Sequence, residues 1–140
     1  MKEKYNSSIT IRISGDVFPI DNFLEKIDIK PVEIYKKGEP FLRGLIQDIQ
    51  PFTAWEFTIN SSKFKYTDDQ IEYLFQKLSP YLDTITDYQK KYNLKCETII
   101  CVRYDEYQTS GIHFEPNHID FLQKIKSSVD IDIYNLCSEK

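Results

Sequence analysis

The 140-residue chain is long enough for one domain and too short for two, and folding at this size buries about 70% of the unfolded surface. With 41% hydrophobic residues, ten Tyr and nine Phe, the composition excludes a disordered chain. The formal net charge of -4 gives no overall attraction to phosphate backbones or anionic lipid, so no nucleic acid partner is expected.

The ends of the chain show no targeting or anchoring pattern. The N-terminal MKEKYNSSIT passes from polar residues into an alternating segment, and no 18-residue apolar run occurs anywhere. We therefore expect a cytoplasmic protein that does not enter a membrane. Residues 1–140 are expected to form a single domain in which 1–7 and 137–140 fray.

The first third of the chain predicts a strand, a helix and a second strand. Ser8 to Ser14 alternates isoleucines with polar residues, the pattern of a half-buried strand. Pro19 can begin a helix of about three turns that Pro31 stops, and Val32 to Tyr35 is the second strand. The apolar residues at helical spacing are Ile20, Phe23, Leu24 and Ile27.

The middle of the chain predicts a strand and one long helix. Ala54 to Ile59 alternates, with Trp55 on its apolar face. Thr67-Asp68-Asp69-Gln70 has the sequence of a capping box, in which the Thr and Gln side chains satisfy backbone groups at the helix start. The helix is predicted over Thr67 to Tyr92, and its apolar stripe continues to Tyr88 past Pro80, which predicts a kink near Pro80 or two helices.

A long strand, Leu94 to Tyr104, follows Asn93, which can end the helix in the left-handed conformation. Cys96 and Cys101 have an odd separation, which places them about 16 Å apart on opposite faces of this strand. With Cys137 the chain has three cysteines and no C-x-x-C pair, so we expect small buried thiols rather than a disulfide framework. A nucleophilic cysteine would require a histidine folded beside it.

The last third of the chain repeats the pattern of the first. SGDVFPIDNFLEKIDIKPVEIY spans residues 14–35, and SGIHFEPNHIDFLQKIKSSVDIDIY spans residues 110–134. FLEKI matches FLQKI, and each is followed by an alternating strand that ends in Ile-Tyr. Two copies of a strand-helix-strand unit are therefore predicted.

Both histidines of the chain lie in HFEPNH, residues 113–118. The first copy of the repeat has VFPI at the same place, which predicts the start of a helix with Glu115 as its cap and His118 in its first turn. A zinc deaminase would need a downstream P-C-x-x-C, and an H-E-x-x-H protease would need its histidines four residues apart. A site formed by His113, Glu115 and His118 stays an alternative, but we predict no metal and no cofactor.

Asp130 and Asp132 form a second candidate pair in the closing strand. They point to one side of the strand, about 6.7 Å apart, while Val129, Ile131 and Ile133 point to the other. Paired carboxylates can hold a cation. A solvated or edge-protecting face is the more common role for such a pair.

The order and spacing of these segments resemble one family. RISGDVFPIDNFLEKIDIKPVEIYKKGEP, Trp55 in AWEFTI, DDQIEYLFQKLSPYLDTI and the closing DIDIY make the chain similar to the bacterial family catalogued as domain of unknown function 4279. The resemblance covers about Ile11 to Tyr134 and implies a small α+β domain with no established activity. It also implies that some relatives belong to toxin-immunity neighbourhoods. FLRGLIQDIQPF, residues 41–52, departs from the short polar connection of the family.

We predict an α+β fold in which two β-α-β units are joined by a long kinked helix. The mixed sheet carries its helices mainly on one face, and a ferredoxin-like arrangement is the nearest model. The absence of a complete catalytic constellation favours a non-catalytic protein-binding module, such as an immunity-type protein that binds a toxin. The alternatives are a small metal-dependent enzyme and a small-ligand sensor, and the oligomeric state is not predicted.

The binding surface is predicted around Lys37, Gly38, Arg43, Leu45 and Trp55. Gly38 to Ala54 is a connection of 17 residues, and connections of that length are usually functional or disordered. Its apolar composition argues against disorder. Arg and Trp are the residue types most often found as interface anchors.

Overall fold

The computed structural model describes residues 5–104 and 111–135 and has the α+β architecture that the sequence predicts. A 3-10 turn, Ser79–Tyr81, joins its second and third helices. In chain order the helices and strands are β1 (Tyr5–Gly15), α1 (Ile20–Lys26), β2 (Glu33–Tyr35), β3 (Pro40–Arg43), β4 (Ile46–Ile49), β5 (Thr53–Asn60), α2 (Thr67–Leu78), α3 (Leu82–Tyr92), β6 (Lys95–Tyr104), α4 (Pro116–Lys124) and β7 (Ser127–Asn135).

The main sheet has five strands in the order β2-β5-β1-β6-β7. β6 and β7 run parallel, and the other neighbouring pairs are antiparallel, so the sheet is mixed as predicted. β3 and β4 form a separate two-stranded sheet. The ferredoxin-like arrangement stays a prediction, because the main sheet carries a fifth strand and the β3-β4 pair stands apart from it.

Both strand-helix-strand units are present, but their strands are spaced differently. β6 and β7 are hydrogen-bonded neighbours joined through α4. β1 and β2 are each antiparallel to β5, which lies between them, so they are parallel to each other without sharing hydrogen bonds. The likeness of the two segments therefore extends to element order and not to strand pairing.

The core lies between one face of the sheet and the helices. Strand alternation places Ile9, Ile11 and Ile13 of β1 on this face, and all three are buried. α2 packs across β1 and β5, and its apolar stripe supplies the opposing side chains: Ile71, Leu74, Phe75 and Leu78. We call the opposite face of the sheet the open face.

The long helical segment has the predicted bounds and the predicted break. It begins at Thr67, ends at Tyr92 and passes through the 3-10 turn at Pro80, which has no N–H to continue the α-helical ladder. Asn93 follows in the left-handed conformation at φ 53°, and its N–H donates to the Gln89 carbonyl. None of the helices in the described part of the chain has the length and apolar content needed to cross a bilayer.

The capping box predicted at Thr67 to Gln70 is wrong. No side chain caps the start of α2, and both residues are fully buried. The Thr67 hydroxyl hydrogen-bonds to the Tyr5 hydroxyl at 2.8 Å. The Gln70 amide group donates to the carbonyl oxygens of Ser7 and Phe64 at 3.1 and 2.7 Å. These side chains therefore connect α2 to β1 and to the preceding loop. They do not cap the backbone N–H groups at the start of the helix.

Two elements, α1 and β1, also differ from their predicted bounds by more than one residue. α1 has two turns rather than three, because the chain is already extended at Ile27, and Ile29 is buried outside the helix. Residues 5–7, which we expected to fray, belong to β1 and pair with β6. Residues 1–4 and 137–140, which were also expected to fray, lie outside the described part of the chain.

Candidate functional site

The predicted 17-residue connection is a β-hairpin. We define residues 36–52 as the hairpin arm. β3 and β4 pair antiparallel within it, and Arg43 and Ile46 form the last pair before the two-residue turn Gly44-Leu45. Gly44 has a φ of 64°, which a residue without Cβ adopts without strain at the first position of such a turn.

Hydrogen bonds close the base of the hairpin arm and connect it to the main sheet. The Gly38 N–H donates to the Gln50 carbonyl, and the Gln50 N–H donates to the Glu39 carbonyl, both at 2.8 Å. The Lys37 N–H donates to the hydroxyl of Thr53, the first residue of β5. Gly38 lies at a φ of 87°, so the bend at the base depends on a glycine. The arm therefore connects the end of β2 to the start of β5.

The hairpin arm exposes most of its apolar side chains. Phe41 is half-buried, but the next apolar residues are not covered by the described chain. β3 and β4 pair with each other and with no other described strand. The exposed fractions are 72% for Leu42, 102% for Leu45, 64% for Ile46, 60% for Ile49 and 48% for Phe52.

Of the predicted binding residues, Lys37, Gly38, Arg43 and Leu45 lie in the hairpin arm. The Lys37 ammonium forms an ion pair with Asp16 at the base, and an Arg43 Nη2 lies 3.3 Å from an Asp48 carboxylate oxygen near the tip. These four residues occupy both ends of the arm. Leu42 and Ile49 lie along the arm between the two ion pairs, and Leu45 lies in the turn beyond Arg43.

Trp55 does not belong to this surface. It is on β5, on the same face as Ile13 and Ile34, and its side chain is fully buried. Its ring packs against Phe23 at 5.7 Å between ring centres. The prediction of Trp55 as a surface contact is wrong, because its inward position on β5 lies against Phe23 of α1 and not in the arm.

HFEPNH forms the start of α4, as the repeat predicts. Glu115 is the cap residue, and its carbonyl accepts from the backbone N–H of His118 at 2.9 Å. The Glu115 N–H donates to Nδ1 of His118 at 3.1 Å. Because Nδ1 accepts, the neutral ring carries its proton on Nε2, which lies 2.9 Å from a Glu72 carboxylate oxygen and donates to it. Both ring nitrogens of His118 thus have structural partners.

This geometry does not provide a set of metal ligands at the alternative site formed by His113, Glu115 and His118. His118 is buried and stacked on Phe75, whereas His113 is exposed and lies 2.9 Å from an oxygen of Glu115. No group of three or more His, Cys, Asp or Glu side chains suited to a metal ion occurs in residues 5–104 and 111–135. The absence of a metal and of a cofactor stays a prediction.

Sequence reasoning missed a row of charges on the open face. The strand register places Glu33, Glu56, Arg12 and Glu97 side by side on four neighbouring strands. Burial raises the pKa of Glu56 above its ordinary value, and the Arg12 guanidinium, 3.6 Å away, opposes that rise. Alternation shows that each residue faces outward, but only the register shows which residues become neighbours.

The two described cysteines are placed on opposite faces of β6, as predicted. Cys96 is buried, and this burial raises the pKa of its thiol to about 12, whereas Cys101 is half-buried on the open face. A thiol with a pKa of about 12 is ionised in about one molecule in ten thousand near pH 8, and the thiolate is the reactive form.

We therefore expect the Cys137→Ser variant to release one equivalent of chromophore from a disulfide reagent while folded, from Cys101. A second equivalent, from Cys96, should follow when guanidinium unfolds the protein. Rapid reaction of two thiols in the folded protein would contradict the buried placement of Cys96. A Cys101→Ser substitution in the same background identifies the reactive thiol.

Comparison with known proteins identifies a family but no activity. A family model described as Domain of unknown function (DUF4279) matches residues 3–136, nearly the whole chain. Neither the curated proteins nor the solved structures contain a match to this sequence. The family description names no substrate or partner, so the function has to be inferred from the side chains themselves.

Proposed function

We propose, from the premise that the chain belongs to the DUF4279 family, that the protein is a non-catalytic module that binds another protein through its hairpin arm. The observation that carries the proposal is the run of exposed apolar side chains between Leu42 and Phe52. Single exposed apolar residues are ordinary, but a contiguous group of them marks an interaction surface.

The geometry of the hairpin arm is better explained by binding to a partner than by a contribution to the stability of the domain. A two-stranded hairpin gains little stability by itself, and it is stabilised when a third layer covers one of its faces. The pairs Pro40–Ile49 and Leu42–Gln47 place three apolar side chains on one face. Fully burying one Leu or Ile contributes about 1.5–3 kcal/mol, so covering this face supplies a large part of a binding free energy.

The charged residues at the ends of the hairpin arm fit the polar rim of an interface. Arg43 is exposed and pairs with Asp48 beside the apolar tip. An exposed pair of this kind adds little stability to the protein, so its members can exchange partners on binding. Lys37, paired with Asp16 at the base, can act in the same way. Such groups influence orientation and association rate more than affinity.

The narrower form of the proposal is an immunity-type protein whose hairpin arm covers part of a toxin. This form is supported by the family resemblance in sequence and by the exposed apolar surface. Binding through the arm does not depend on it.

The proposal is tested by substitution of two exposed residues in the hairpin arm. We expect Leu42→Ser with Leu45→Ser to weaken binding to the natural partner about a hundredfold or more, because both side chains become buried in the complex. The melting temperature should change by no more than about 3 °C, because neither side chain is buried in the free protein. The partner is first isolated by co-purification from the native cells, and affinity is then measured by calorimetry.

The matched control is Val17→Ser with Ile119→Ser, two exposed apolar residues outside the hairpin arm. This control should leave the affinity unchanged. Equal loss of binding in the two double variants would show that general surface apolarity matters and not the arm. Unchanged affinity after the arm substitutions would place the interface elsewhere.

A further inference from the structure

The outer edge of β7 is a second candidate binding surface, because it is an unpaired strand edge in the described part of the chain. β7 is nine residues long, and no described strand pairs with its outer edge. The backbone N–H and C=O groups along such an edge can pair with an added strand. The opposite edge of the sheet is β2, which has three residues and follows Pro31, and both features blunt an edge. The sheet is therefore open to extension on the β7 side.

Apolar side chains accompany this edge on the face where the helices pack. In the parallel register Ile131 lies beside Ile100 of β6, with Val129 and Ile133 two residues away on either side. Ile100 is fully buried, whereas the three β7 side chains are 41% to 57% exposed. The apolar face of the sheet thus continues onto β7, one strand beyond the part that the helices bury. An added strand with apolar residues at alternate positions would extend that cover.

On the open face, β7 carries negative charge. Asp130 and Asp132 are exposed, and neither makes an ion pair with any residue in the described segments. Their neighbours on β6 are the uncharged Ile99 and Cys101. Arg103 lies farther along, over the ring of Tyr134 at 5.3 Å. Lys or Arg on an added strand would complete cross-strand pairs with the two aspartates.

The same two aspartates disfavour a second copy of β7 as the added strand. A two-fold symmetric antiparallel pairing that uses the whole strand is centred on Ile131, the middle residue of Ser127–Asn135. This register places Asp130 of each copy directly opposite Asp132 of the other. Like charges at directly opposed positions are destabilising. Charge complementarity therefore selects a basic partner over self-association.

We propose that the outer edge of β7 binds an extended segment of another protein in which apolar residues alternate with Lys or Arg, and that this segment becomes a sixth strand of the sheet. Backbone hydrogen bonds supply the general affinity. The apolar row of Val129, Ile131 and Ile133 selects apolar side chains on one face of the added strand. The carboxylates of Asp130 and Asp132 select Lys or Arg on its other face. The site is separate from the hairpin arm.

The probe is a seven-residue peptide of alternating Val and Lys, N-methylated along one edge so that it pairs on one side and does not aggregate. The control peptide has Glu in place of Lys. We expect the Lys peptide to bind about tenfold or more tightly than the Glu peptide at low salt. Amide NMR shifts should change along Ser127–Asn135 and not along Pro40–Arg43.

Charge reversal provides the decisive variant. Asp130→Lys with Asp132→Lys should reverse the preference, so that the Glu peptide binds more tightly, and the variant should fold because both side chains are exposed. Leu42→Ser with Leu45→Ser should leave peptide binding unchanged, which separates this site from the hairpin arm. Melting curves verify that each variant is folded.

Three results would overturn the proposal. The first is equal affinity for the two peptides, or no binding of either at about 1 mM. The second is a set of NMR shifts that lies outside β7. The third is a wild-type dimer in sedimentation that Ile131→Glu dissociates, because it would identify a second copy as the occupant of the edge.

Discussion

Replacing Gln70 with Leu is expected to lower the free energy of unfolding by about 3 kcal/mol, which corresponds to a fall of about 10 °C in melting temperature. The Gln70 side chain donates to the carbonyls of Ser7 and Phe64, and its amide oxygen accepts from the Ser7 hydroxyl. A leucine of similar size fills the space but leaves the Ser7 hydroxyl and the Phe64 carbonyl without these partners, whereas the Ser7 carbonyl still accepts from the Ser61 hydroxyl. Each such group costs about 1–3 kcal/mol.

The matched control is Gln76→Leu, an exposed position on the same helix. It has the same change in composition and should alter the stability by no more than about 0.5 kcal/mol. Denaturant unfolding followed by circular dichroism measures both variants. A capping role for Gln70 would predict a loss of about 1 kcal/mol, so a loss of that size would contradict the buried network.

Replacing His118 with Ala is expected to cost about 3 kcal/mol. The substitution removes a ring stacked on Phe75 at 4.9 Å between centres and leaves the Glu115 N–H without its acceptor. It also removes the bond to Glu72, which connects α4 to α2. Loss of a buried ring and loss of a helix cap each contribute about 1–3 kcal/mol, and the two effects act on neighbouring groups and are not fully additive.

His113→Ala is the control, because the His113 ring is exposed and its bond to Glu115 lies at the surface. We expect this variant to keep the stability of the parent within about 0.5 kcal/mol.

Protein purified without chelator should contain no stoichiometric zinc, iron or manganese. Stoichiometric metal that both substitutions remove would contradict the helix-start role of HFEPNH and support a metal site.

Strand and helix positions could be predicted from the sequence wherever one face of an element is buried. The alternation of isoleucines in β1 and of Trp55, Phe57 and Ile59 in β5 reflects burial against the helices, so the pattern carries the information. Pro80 and Asn93 act through their own backbone preferences, and their effects on the long helix were predictable for that reason.

The errors arose where a side chain has a distant partner. Thr67 and Gln70 satisfy a local cap motif, yet their partners on β1 lie more than 60 residues away in the chain. No local sequence pattern shows that the two side chains bond to β1 rather than cap the helix. The charge row of Glu33, Glu56 and Arg12 was missed for the same reason, because it exists only in the strand register.

The hairpin arm was only half predictable. Its apolar composition indicated either a cover for the core or an exposed surface, and the sequence could not separate the two. Gly44 between two apolar runs was the available signal for a hairpin turn. Trp55 was assigned to the surface by residue type, although its place in an alternating strand indicated the core.

The protein-binding role of the hairpin arm can be tested in the native cell by photo-crosslinking. A photo-reactive phenylalanine analogue is placed at Leu45, and in separate variants at Val17 and Ile119, which are exposed outside the arm. We predict one discrete crosslinked protein from position 45 and none from the other two positions. No crosslink at position 45, or the same set of products from all three positions, would contradict the role proposed for the arm.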